Sequence, residues 1–165
     1  TYKPLYTYII IIWRLIMSLG GCYLEMKQDV FHYLIQQNKS LQEYVNKNSL
    51  KSCTLEQSWD AVRILTQNFS PNILGSSPLS NVDLGEACFL FSSSDIQIIN
   101  QQLSSIDDST LSSLFGSSNF QNADFYWDNV FKDIDSKDKL IEYVLNVKNF
   151  FSQLHNDSIV LFYIS

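Results

Sequence analysis

Apolar residues along this chain recur at two kinds of spacing, and each predicts a kind of element. Over Lys27 to Gln37, Met26, Val30, Phe31 and Leu34 fall on one side while Lys27, Gln28, His32 and Gln36 fall on the other. That is the period of an amphipathic helix lying on a sheet, and it leaves His32 as a solvated surface residue. The same period predicts a helix from Thr54 to about Gln67 (Leu55, Trp59, Val62, Leu65, Phe69) and one after Ser92 (Ile96, Ile99, Leu103, Ile106). The longest, Ser136 to Leu154, carries Leu140, Val144, Val147, Phe151 and Leu154. Unbroken apolar runs predict strands instead: one over 86–91, and one over 159–164 that reads as a central strand covered on both faces. Behind Gly20 and Gly21, Cys22 to Glu25 alternates enough for a third strand near 20–25.

The boundaries carry their own signals. Ser40 with Glu43, Thr54 with Gln57 and Ser92 with Asp95 each have the spacing of a capping box, so each is expected to open a helix. Asp107 and Asp108 begin a short helix over 109–115 that Gly116 ends. Pro71 forbids helix beyond about Asn68. The stretch from Asn72 to Asp83 is rich in Gly, Pro, Ser and Asn, a turn leading into the second strand, and at least one of Gly75 and Gly85 is expected at positive φ. Asn119 to Phe131 has no single period. Asp133, Asp135 and Asp138 imitate the start of a calcium loop, but its sixth position is Asp138 rather than Gly and its twelfth is Val144 rather than Glu; they are read as caps of the long helix, and no metal is expected.

These elements make an α+β fold: a single compact domain in which a small mixed sheet packs against several amphipathic helices. The 165 residues suffice for one such domain, and 11 Phe, 9 Tyr and 3 Trp predict an aromatic core. Residues 1–16 stand apart. The run Tyr8 to Trp13 is too short to span a bilayer. Trp13-Arg14 can encode a bacterial ribosome-binding sequence just before the Met17 codon, so 1–16 is read as untranslated leader or a poorly packed extension and 17–165 as the domain. The alternative is a genuine N-terminal strand or membrane tether.

Charge and cysteine content then narrow the function. A net charge of −6 argues against nucleic acid or an anionic membrane and for a basic protein partner. Cys22, Cys53 and Cys88 are odd in number and without metal-ligand spacing, which fits reduced thiols in a cytoplasmic protein. No phosphate-loop, nucleophile-elbow or cofactor signature is present, so no cofactor is expected.

Across 17–165 the chain resembles the YfbM-like family, a bacterial domain of unknown function. The residues that carry the resemblance are MSLGGCYLEM from Met17, SWDAVRILT from Ser58, ILGSSPLSNVDLG from Ile73, FLFSSSDI from Phe89, ADFYWDNVF from Ala123 and LFYIS from Leu161. The pattern departs at Trp127, where similar proteins tend to carry Pro. The resemblance implies a compact α+β fold and no particular reaction.

Two functions follow. The first is a protein-binding module of the inhibitor or immunity type, an acidic domain covering a basic partner. The second is an enzyme whose cleft is formed by the 72–83 turn, with Asp60 and Asp83 as acid/base candidates and Trp59, Asn81, Tyr126 and Trp127 as binding candidates. Each has a plainer role: Asp60 complements a helix dipole, Asp83 follows a turn, and Trp59 belongs to the core.

Overall fold

The computed structural model describes residues 19–125 and 129–165, with residues 129 and 130 described by backbone alone. The 1–16 segment, Tyr126 and Trp127 lie outside the described residues. In chain order the elements are β1 (Gly21–Lys27), α1 (Gln28–Gln36), α2 (Leu41–Lys47), β2 (Ser52–Glu56), α3 (Trp59–Thr66), β3 (Ser77–Pro78) and β4 (Ala87–Phe91). There follow α4 (Ser93–Leu103), α5 (Asp108–Phe115), α6 (Ser118–Gln121), two short 3-10 turns at Asn129–Lys132 and Ile134–Ser136, α7 (Lys137–Ser152) and β5 (Ser158–Ile164).

The strands form one five-stranded sheet in the order β2-β1-β5-β4-β3. The α+β class holds, but the sheet is antiparallel at every pairing rather than mixed. β1 and β5 run side by side in full register from Gly21 opposite Ile164 to Lys27 opposite Ser158. Alternation along these two strands feeds two cores. Tyr23, Val160 and Phe162 enter the larger one with α3, α4, α5 and α7, while Leu24, Met26, Ile159 and Leu161 enter the smaller one with α1, α2 and Leu84. The larger core is aromatic: Tyr23 lies within 4.7–6.1 Å, ring to ring, of Phe91, Phe150, Phe151 and Phe162. Its buried hydroxyl donates to the Ile73 carbonyl at 2.6 Å. Ile159 to Phe162 are all buried, and at ~2 kcal/mol each their burial rivals the whole stability of an ordinary domain. β5 is therefore the central strand its unbroken apolar run predicts.

Three helix starts follow the predicted caps, whereas the long helix α7 starts after Ser136 with no side-chain cap from Asp133, Asp135 or Asp138. Ser92 and Asp95 form a complete capping box on α4, and the Asp107 carboxylate caps α5. Ser40 caps α2 by accepting from the Glu43 amide, but the Glu43 side chain pairs with Lys47 instead of closing the box. Thr54 is a correction. It lies within β2 and opens no helix; its hydroxyl accepts from the Glu56 amide at 3.2 Å, a local bond that competes with capping. Ser52 to Glu56 pairs with β1, and the chain breaks at Glu56, whose φ of 49° is left-handed, before α3 starts at Trp59. Gly75 and Gly85 are both at positive φ, as expected of the turn they flank.

All three cysteines are free thiols. Burial pushes Cys53 and Cys88 up to about 11, which keeps them protonated and unreactive near neutral pH. Among the described residues no helix is long and apolar enough to cross a membrane.

Candidate functional site

The structure does not gather the expected catalytic residues into one cleft. Trp59 and Asp60 open α3 against the larger core, whereas Asp83 lies between Val82 and Leu84 against the smaller one, so they occupy opposite faces of the sheet. Asp60 is 4% exposed, and its Oδ1 accepts from Arg63 Nε at 2.9 Å and Nη2 at 2.6 Å. Trp59 packs on the larger core and donates from its indole to the Leu19 carbonyl at 3.2 Å. Asp83 caps α2 from outside the helix. Its Oδ1 accepts from the Leu41 and Gln42 amides at 2.8 and 3.3 Å, and Oδ2 accepts from the Ser40 hydroxyl. The Ser40 bond, with the two amides, outweighs a small desolvation and holds the Asp83 carboxyl below its usual range. Asn81 is exposed at φ 63°, turning the chain into this cap.

A different place combines shape, backbone strain and charge. At one end of the sheet a depression of about 580 Å³ opens between β2 and α7, lined by Thr54, Glu56, Ser58, Phe131, Lys139 and Tyr143 among others. Glu56 reaches it because the left-handed backbone at its position ends β2 there. For a side chain larger than glycine that conformation costs about 1–2 kcal/mol, and such strain concentrates at functional positions. Tyr143 projects from α7 and donates to Glu56 Oε2 at 2.5 Å. Burial, then the bond to the Glu56 carboxylate, push the Tyr143 phenol well above the ordinary tyrosine range, so it stays a donor. Lys139 covers the Tyr143 ring at 5.0 Å and pairs with Glu142 at 3.5 Å.

The stretch of sequence that supplies Phe131, Lys139 and Tyr143 to this depression also carries most of the chain's net charge. From Asp107 to Glu142 there are eight Asp or Glu against three Lys, a net of −5 out of −6 for the whole sequence. Within this stretch Asp133, Ile134 and Asp135 are exposed together, Ile134 at 72%. Ile134 is the most exposed of the large apolar side chains among the described residues, so it is not part of the core. The sequence reading missed Glu56 because the Thr54–Gln57 spacing imitates a helix start. The clustering of acid over 107–142 was visible, but only as part of the total charge. Among the described residues no group of His, Cys, Asp and Glu could hold a metal ion.

A family model described as Domain of unknown function (DUF1877) matches residues 17–163. The crystal structure of YfbM from Escherichia coli, itself described as a protein of unknown function, is similar to this chain at a TM-score of 0.60 and 12% identity. That match covers 88% of this chain and 99% of the other. At such identity it shows the fold alone. No curated protein matches.

Proposed function

The chain belongs to the family described as Domain of unknown function (DUF1877), and from that premise we propose that it is a protein-binding module whose acidic end receives a basic partner. The observation that carries this reading is the net charge of −5 between Asp107 and Glu142, with Ile134 displayed in its midst. Charge of one sign on one end steers a basic partner toward it and fixes its orientation. Ile134 then supplies an apolar anchor, and the Glu56 carboxylate in the adjacent depression accepts a Lys or Arg side chain. A partner enzyme with a basic active site would be covered by this end, the arrangement of an inhibitor or immunity protein.

The test is capture from the protein's own host with the tagged chain as bait, in parallel with a D133K/I134A/D135K variant whose folding is checked by circular dichroism. The expected result is a basic protein retained in equimolar amount, weakened more than about tenfold by the triple substitution and by raising salt to about 0.5 M. A partner that binds the variant equally well would overturn the assignment.

A further inference from the structure

The opposite end of β1 holds a second glutamate in a very different setting. Glu25 is 7% exposed. Its Oε1 accepts three hydrogen bonds: from the His155 amide at 2.7 Å, from His155 Nδ1 at 2.8 Å and from the Ser158 hydroxyl at 2.7 Å. Burial pushes the Glu25 carboxyl up, but the His155 amide, the Ser158 hydroxyl and the His155 ring together hold it below its ordinary value. The group is thus an anion at neutral pH, and the ring nitrogen facing it is the donor. All three donors lie on one oxygen. Among the described residues Oε2 has none, and a buried carboxylate oxygen without a donor calls for a partner.

A depression of about 550 Å³ is lined by Glu25 and by both residues that donate to it, His155 and Ser158. The charged side chains lining it are Glu25 and Asp157, Lys27 and Lys51, together with the His155 imidazole. Acid and base are balanced. Lys27 follows Glu25 by two strand positions, so the two leave the same face of β1 with Cα atoms about 7 Å apart. Lys27 makes no ion pair among the described residues, and Lys51 Nζ donates to the Gln153 carbonyl at 2.8 Å.

A lining that holds a carboxylate with one oxygen lacking a donor, together with two lysines, disfavours a polyamine and disfavours a simple anion. It favours a ligand that carries both charges a few ångströms apart. We propose that this depression binds a small zwitterion of the α-amino acid class, with its ammonium donating to Glu25 Oε2 and its carboxylate accepting from Lys27 and Lys51. The inference is independent of the basic-partner reading, which concerns the other end of the strand.

The test is a titration of the full chain with the standard free α-amino acids, each compared with its N-acetyl derivative and its methyl ester, followed through the His155 ring resonances and by calorimetry. At least one free amino acid is expected to bind with Kd below about 1 mM, at least tenfold more tightly than either blocked form. Lys27→Met, a change at an exposed position, is expected to weaken it at least tenfold, and Glu25→Gln to abolish it. Should Glu25→Gln unfold, Lys27→Met decides. The proposal falls if no free amino acid binds at about 10 mM, if the methyl ester binds as well as the acid, if the N-acetyl form binds as well as the free amine, or if Lys27→Met leaves the affinity unchanged.

Discussion

At one end of β1, Glu56 stands opposite Gly21 on a left-handed backbone, exposed and held by the Tyr143 hydroxyl. At the other end, Glu25 lies within a regular strand, buried under three donors. Both carboxylates are costly, but the cost falls in different places. At Glu56 it is a backbone conformation that glycine would adopt freely; at Glu25 it is removal of a charge from water. Strain of the first kind presents a side chain, and desolvation of the second kind fixes one. The Glu56 end of the sheet is also closely packed. Glu56, Gly21, Ile164 and Ala87 form a row across four strands, and a Cβ on Gly21 would stand 2.7 Å from the Trp59 Cβ.

The largest expected effect tests that tightness. Gly85→Ala places a methyl group at φ 70° and 2.4 Å from the Ile164 carbonyl oxygen, so left-handed strain and backbone displacement add to roughly 3–5 kcal/mol. Gly116→Ala is the control, because its Cβ would meet nothing closer than 3.8 Å and should be near neutral. Urea unfolding compares the two, and equal midpoints would refute the account of this end.

Next comes Glu25→Ala, expected to cost about 2–4 kcal/mol at pH 7 because the buried Ser158 hydroxyl and the part-buried His155 amide and ring lose an ionised acceptor. The carboxyl is lowered in the folded state from an ordinary value of 4.5. Its contribution is therefore complete above about pH 4.5 and is lost as pH falls through the lower folded value. Stability measured by urea from pH 7 down to pH 3 should fall less steeply for Glu25→Ala than for the unaltered chain; parallel curves would mean that Glu25 is not held as an anion.

The smallest effect separates the two ends most cleanly. Glu56→Gly should raise stability by up to about 1 kcal/mol, since relief of the left-handed backbone outweighs one hydrogen bond to an exposed carboxylate. A loss of more than about 1 kcal/mol by calorimetry would show that the Tyr143 bond, and not the backbone, dominates there.

Much of the fold was legible because its signals are local. The Ser92–Asp95 box, the Gly116 stop, the stripe of α7 and the unbroken run of β5 each lie within one short window. β2 was not, since Thr54 and Gln57 have capping-box spacing and the pairing of Cys53 with Tyr23 that overrides it spans thirty residues. Both glutamate settings were hidden for the same reason. Glu25 meets His155 and Ser158, and Glu56 meets Tyr143, only after the sheet has closed. Asp83 was singled out from its neighbours in sequence, yet its partners are Ser40, Leu41 and Gln42.

The pairing of β1 with β5 bears on how the domain is made. The two central strands are separated by 143 positions at Gly21 and Ile164, and β4 joins the sheet only through β5. During synthesis β1 and β2 can pair early, but the edge that β5 will fill stays open until nearly all the domain has left the ribosome. Such long loop closure slows folding, and in the interval that bare edge is what a chaperone, or another nascent chain, would find first.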